Sequence, residues 1–284
     1  MTSGGRRGLH TSKVSSDLTL DVKVHAAEKR QKKPRIFYFG VTHSSSNGKV
    51  EVAKATWADP LQVVWYSNEA SPGVNHVVSN PDGNAYDQLT WRMMLIWKHV
   101  YENYKGYDWY ARVWDDNYII QDTFESLVKG YSPDELVEIG RLGRLEGHVF
   151  VGGGAGSLLS RAAMKLWSER IDECRAQLQE MKTIPCAFAC EDVLISRCRS
   201  KIGIRFKEGY GLFSHSPSHR NVMNISFEDI ACRREGVFEH VDKGPQVKTV
   251  PRSFHYVSPT EMTAIHRALT NSTCHETSLS QMHV

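Results

Sequence analysis

Asp115 and Asp116 close the aromatic and β-branched run Trp109-Tyr-Ala-Arg-Val-Trp114, and a new apolar segment, Tyr118-Ile-Ile120, follows them. Strands of α/β sheets present their chemistry at their carboxyl ends, where the backbone leaves the core. Two carboxylates at such an end suit a hard divalent cation, Mg²⁺ or Mn²⁺, which prefers oxygen ligands and bridges to a substrate phosphate. A solvated turn is the plain alternative, because Asp and Asn are ordinary turn formers. A second acidic pair, Glu191-Asp192, stands after Cys190 at the start of a predicted helix. The helix dipole favours acids there whatever their role. A carboxylate so placed also suits a general base that takes the proton of an attacking hydroxyl. His255, inside Ser253-Phe-His-Tyr-Val257, is a core histidine by default. It becomes a metal ligand only if the fold carries it to the acids at 115–116. The run Gly152-Gly-Gly-Ala-Gly156 fits neither the phosphate-loop nor the dinucleotide spacing of glycines. It marks backbone that closely approaches either a ligand or a neighbouring strand. Trp114, directly before the acids, either stacks on a sugar or base face or caps the core.

These residues need elements to position them. Arg35–Thr42, Gln62–Ser67 and Trp109–Trp114 are compact strand signals. Leu89, Met93, Ile96, Val100 and Tyr104 recur at helical spacing, with Asp87 as the predicted cap. Val50–Trp57 reads as a short helix that stops near Asp59-Pro60, and Tyr118–Val128 as a helix plus turn. Residues 160–181 form a clear helix with Ala163, Leu166, Trp167, Ile171 and Cys174 on one side, and Glu191–Cys198 opens another. Alternating strands and helices predict an α/β fold with a mainly parallel central sheet flanked by helices.

The bulk numbers exclude some classes. A formal net charge of +3 over 284 residues is too balanced to argue for nucleic acid. No run of 18 apolar residues predicts a membrane span, and the first residues lack the apolar core of a secretory signal. Residues 1–34 are polar and basic and read as a disordered stem. Residues 35–267 read as the folded domain, and 268–284 as a loose tail. The six cysteines lack the paired knuckles of structural zinc, so a local disulfide is the better expectation in an oxidising compartment.

Six stretches in order resemble the core 1 β1,3-galactosyltransferases of glycosyltransferase family 31. They are Lys54-Ala-Thr-Trp-Ala58, Asp87-Gln-Leu-x-Trp91, Asp108-Trp109 with Asp115-Asp116-x-Tyr118, Gly153–Gly156 with Leu159-Ser160, Glu191-Asp192 with Arg197-Cys198, and Ser253–Val257. The resemblance implies a GT-A fold, UDP-galactose as donor, Mn²⁺ as cofactor, GalNAc on Ser or Thr of a glycoprotein as acceptor, and inversion at the anomeric carbon. It also implies a Golgi luminal enzyme of type II membrane topology, although this chain shows no anchor; a homodimer is compatible with the sequence, which does not encode the oligomeric state. By the same resemblance, Asp116, Asp115 and His255 hold the metal. Asp115, Trp114, Gly153, Gly154 and Ala155 meet the donor. Asp192, with Glu191 as the alternative, is the base. Cys198 would pair with Cys186 or Cys190. Family members usually carry three consecutive acids, and here Trp114 takes the first position. Other readings on the same scaffold are a fringe-like transferase with another donor and a non-catalytic, chaperone-like relative.

Overall fold

The computed structural model describes residues 33–46, 48–79, 89–180, 190–219, 225–238 and 247–272. Asp87, Cys186, Cys274 and nearly all of the basic stem lie outside them. Pro34–Val284 forms one compact unit.

Its centre is a sheet of seven strands in the order β3-β2-β1-β4-β7-β6-β8. These are β1 (Ile36–Val41), β2 (Val64–Ser67), β3 (His76–Val77), β4 (Trp109–Trp114), β6 (Val137–Leu145), β7 (His148–Ser160) and β8 (Arg205–Glu208). The β3-β2-β1-β4 half is parallel throughout. β7 runs antiparallel to both β4 and β6, and β8 returns parallel to β6. The sheet is therefore mostly parallel, as the alternation of strands and helices predicts.

Side chains alternate across the central strands because the strand period is two. From β1 and β4, Tyr38, Trp109, Ala111 and Val113 enter one core, while Phe37, Phe39, Val41 and Tyr110 enter the other. Both faces are thus buried, which is why these strands read as continuous apolar runs. The first face is covered by α1 (Lys49–Ala53), a π-helical turn that continues it (Lys54–Ala58), α3 (Gln121–Glu125), α6 (Phe227–Ala231) and α7 (Pro259–Asn271). The second is covered by α2 (Leu89–Asn103), α4 (Arg161–Glu180) and α5 (Glu191–Lys201). Helix α7 starts with a capping box, Ser258 to Glu261, and continues past Arg267, the predicted end of the domain.

Two further sheets complete the unit. β10 (Gly236–Phe238) pairs with β11 (Val247–Thr249). β12 (Ser253–Phe254) lies between β5 (Tyr118–Ile119) and β9 (Leu212–Phe213). The helix expected from Tyr118 therefore begins later, because Tyr118 and Ile119 are held as a strand against Phe254 and Ser253.

The disulfide differs from the pairing that the family resemblance implies. Cys198 of α5 is bonded to Cys174 of α4, with Cα atoms 5.7 Å apart. Cys174 sits on the apolar stripe of α4 with Ala163, Trp167 and Ile171, and that stripe packs in the same core as Leu194 and Cys198. The bond closes a 24-residue separation, so it removes denatured-state freedom worth about 3 kcal/mol. A Cys174→Ser/Cys198→Ser variant is expected to lose about that much in chemical denaturation. A loss below about 1 kcal/mol would show that packing of α4 on α5 holds without it. Cys190 and Cys232 are also disulfide-bonded.

Candidate active site

β4 delivers the acids to the carboxyl end of the parallel half, as its sequence predicts. Asp115 turns inward, 5% exposed, and its Oδ2 accepts from Thr42 Oγ1 at 2.5 Å. That bond joins the ends of β4 and β1. Asp116 faces the other way. Its Oδ1 lies 3.5 Å from His255 Nε2.

Two backbone links and one side-chain amide bring His255 to that place. β12 pairs antiparallel with β5, directly after the acids, in the register Phe254 to Tyr118. Val257 N–H donates to the carbonyl of Asp116 at 2.9 Å. Between them Asn117, fully buried, accepts from Trp114 N–H and donates to the carbonyls of Gly154 and Phe254. One amide thereby ties the acid turn, the glycine strand and the histidine strand together.

The glycine run is part of β7 rather than a loop. A Cβ on Gly154 would fall on the His255 ring, and one on Gly153 would fall on the Arg112 guanidinium and the Glu191 carboxylate. The sequence left open an approach to a ligand or to a neighbouring strand, and the structure shows the side chains of His255, Arg112 and Glu191 against the run. Gly153 and Gly154 still line the cleft. Ala155 does not: it packs in the core and its carbonyl accepts from Ser253 Oγ.

The second acidic pair divides its tasks. Glu191 is 4% exposed, and both its oxygens accept from Arg112 Nη1 at 2.8 Å. β4 sends Arg112 to the α5 side, so this ion pair fixes the start of α5 against the sheet. Breaking such a buried pair costs roughly 3–5 kcal/mol. Glu191, the alternative base, is thus engaged with Arg112 and serves position. Asp192 is left toward the cleft, oriented by N–H donors from Val193 at 2.8 Å and Gly153 at 3.3 Å.

Asp116, His255, Asp192, Gly153, Gly154, Trp114 and Tyr256 line one cleft of about 330 Å³. Trp114 leaves it open, because its indole N–H is tied along the wall to the Gly153 carbonyl at 3.0 Å. Trp114 and Asp115 also border a larger cavity of about 540 Å³, whose other walls include Thr42, His43, Asn68 and Arg92. Tyr256, Asn117 and Arg92 were not singled out from sequence. Tyr256 stacks on His255 at 3.7 Å between centroids and is 62% exposed at the rim.

Burial and the neighbouring Asp115 raise the Asp116 carboxyl to about 6. Burial, followed by the charge of His215, lowers His255 to about 4, so its imidazole is neutral at physiological pH. Lys49 offsets part of the Asp116 rise, and a neutral imidazole beside a carboxylate is a donor pair that would suit Mn²⁺ or Mg²⁺. The glycine strand keeps room for that histidine. The three-residue ligand set is not assembled: among the described residues no group of three His, Cys, Asp or Glu could hold a metal. Asp115 is bonded to Thr42, which leaves Asp116 and His255 as the pair.

The Fringe-like family profile matches residues 46–273. Chondroitin sulfate synthase 3 of Homo sapiens is 28% identical over 195 residues, 60% of this chain and 21% of that protein. Its Mus musculus counterpart is 28% identical over 174 residues, 53% of this chain and 19% of that protein. The chain thus spans about a fifth of the length of these curated relatives. A solved structure of a glycosyltransferase involved in glycosylation of the major capsid of PBCV-1 aligns with a TM-score of 0.46. The two are 14% identical, and the match covers 81% of this chain and 98% of that one.

Proposed function

The chain belongs to the Fringe-like family, within glycosyltransferase family 31, and from that premise we propose that it transfers a hexose from a UDP-sugar with inversion at the anomeric carbon. One observation carries the reading. Asp116 and His255 meet in the same cleft as Asp192, with the glycine strand between them. The donor lies across the two cavities that share Trp114 and Asp115. Asp192 takes the proton of the acceptor hydroxyl as its oxygen forms the bond to the anomeric carbon. The bond from that carbon to the diphosphate oxygen breaks on the opposite face, and UDP leaves. Asp116 and His255 would hold Mn²⁺, which would supply Lewis-acid neutralisation of the diphosphate. Tyr256, exposed at the rim, offers an apolar face to a sugar ring.

The resemblance in the sequence supports UDP-galactose as donor and the 3-hydroxyl of GalNAc on Ser or Thr as acceptor. The identity with chondroitin sulfate synthase 3 supports a second reading, transfer to a chondroitin chain. Disulfide-bonded cysteines suit an oxidising lumen such as the Golgi. No described helix is long and apolar enough to cross a membrane.

Transfer assays with a panel of UDP-sugars and Mn²⁺, on a GalNAc-threonine peptide and on chondroitin oligosaccharides, test these readings. Turnover of UDP-galactose onto the peptide is expected. Turnover only onto chondroitin moves the reading to the second acceptor. Absence of both turnover and Mn²⁺-dependent UDP binding sinks catalysis and leaves a binding protein on a transferase scaffold.

A further inference from the structure

Arg92 lies in the first turn of α2, three residues after Leu89, so both side chains share a helix face. That face borders the 540 Å³ cavity. The rest of the helix's buried face, Met93, Ile96, Trp97 and Val100, packs into the core. Arg92 is only 5% exposed. Its Nε is buried with no hydrogen-bond partner, and no ion pair to its guanidinium occurs among the described residues. Two other deeply buried arginines among the described residues, Arg112 and Arg199, share the unpartnered Nε but differ in having an ion pair. Arg112 is paired with Glu191 and Arg199 with Glu138. A buried cation without an anion is strongly disfavoured. Among the described residues, the carboxylates on the cavity wall are Asp115, bonded to Thr42, and Glu69.

Resting on the donor-site reading above, we infer that Arg92 is the anion-holding residue of the larger cavity and takes the phosphate oxygens of the bound nucleotide. The Nε edge of a guanidinium is half of a planar fork that matches two phosphate oxygens. The cavity volume suits a ligand of nucleotide size. The adjoining wall supplies neutral polar groups, Thr42, His43, Ser46 and Asn68, from the ends of β1 and β2. They serve the uncharged part of a nucleotide, and Arg92 serves its charge. The pairing also answers the loss of the first acid. With Trp114 in that position, the nucleotide is gripped by its phosphates more than by its ribose.

The test is calorimetric titration of UDP, uridine and inorganic pyrophosphate, with Mn²⁺ present, into wild type, Arg92→Gln and Arg92→Lys. In Arg92→Gln, UDP and pyrophosphate should weaken by about tenfold or more, the worth of a hydrogen bond to a charged group, while uridine stays within about twofold. Arg92→Lys should fall between, because it keeps charge without the fork. The ligand-free melting temperature of Arg92→Gln should hold or rise, since a buried unpaired charge is gone. UDP binding that ignores Arg92 overturns the inference and leaves the donor site standing. Equal loss of uridine and UDP, with a lowered melting temperature, also overturns it, because Arg92 would then be structural. Arg92-dependent pyrophosphate binding without affinity for uridine or UDP keeps the anion site and sinks the nucleotide reading. Binding of none of the three overturns both.

Discussion

Asp192→Asn is expected to bind UDP as tightly as the parent and to transfer sugar about 10³-fold more slowly, the middle of the range for a lost general base. The argument starts from the acidic pair. Two adjacent carboxylates at a helix start look equivalent in sequence, and the dipole welcomes both. The fold separates them. Glu191 is locked on Arg112 under Gly153 and is almost wholly buried. Asp192 is held by the N–H groups of Val193 and Gly153 on the cleft wall. An amide at 192 keeps nearly the same shape and can accept one of those bonds. It cannot take a proton from an attacking hydroxyl. Loss should therefore fall on kcat, with little change in donor affinity. Single-turnover transfer alongside UDP calorimetry reads the two separately. Retained turnover would remove Asp192 from the chemistry. Loss of UDP binding together with turnover would mean that the substitution disturbed the start of α5, and a lowered melting temperature would accompany it.

The sequence reveals features whose cause is local. β4 is legible because its apolar run ends abruptly in Asp115-Asp116, and α2 because its apolar residues recur at helical spacing. What escapes depends on distant partners. The glycine run has poor strand propensity, yet it is strand β7, because only glycine clears His255 and Arg112 there. Asn117 looks like a turn former after two aspartates. Its work is a bond to Phe254, 137 positions away, which no local pattern announces. The Cys174–Cys198 bond follows from how the stripe of α4 meets α5, and cysteine spacing does not encode that contact. Arg92 is one arginine on an amphipathic helix until the fold shows that it is buried and unpaired. The sequence marks His255 only as a conditional ligand, which the family resemblance assigns to the metal. The structure supplies the physical cause, the pairing of β12 beside the acid turn.

Asp116→Asn should raise the stability of the metal-free protein and abolish its stabilisation by Mn²⁺ with UDP. Burial and the charge of Asp115 lift the Asp116 carboxyl from 3.8 to about 6. Between those values the folded protein binds the proton more tightly than the unfolded chain does. Stability from this group is full below pH 3.8, falls as pH rises through 6, and is gone at neutral pH. The ionised carboxylate therefore disfavours the metal-free fold at neutral pH by on the order of 2–3 kcal/mol. His255 offers no relief, since its lowered pKa keeps it neutral over the same range. A buried acid next to another acid, facing a neutral imidazole, is a stability defect that a divalent cation corrects. The wild type should thus melt higher with Mn²⁺ and UDP, and less so as pH falls below 6, where a proton competes for Asp116. The asparagine variant should melt higher than wild type without ligand, show little of that pH slope, and gain nothing from Mn²⁺. A Mn²⁺-dependent rise that survives in the variant would place the metal elsewhere. A metal-free variant that melts lower than wild type would mean that the carboxylate is held by a favourable partner, and the site would not be waiting for a cation.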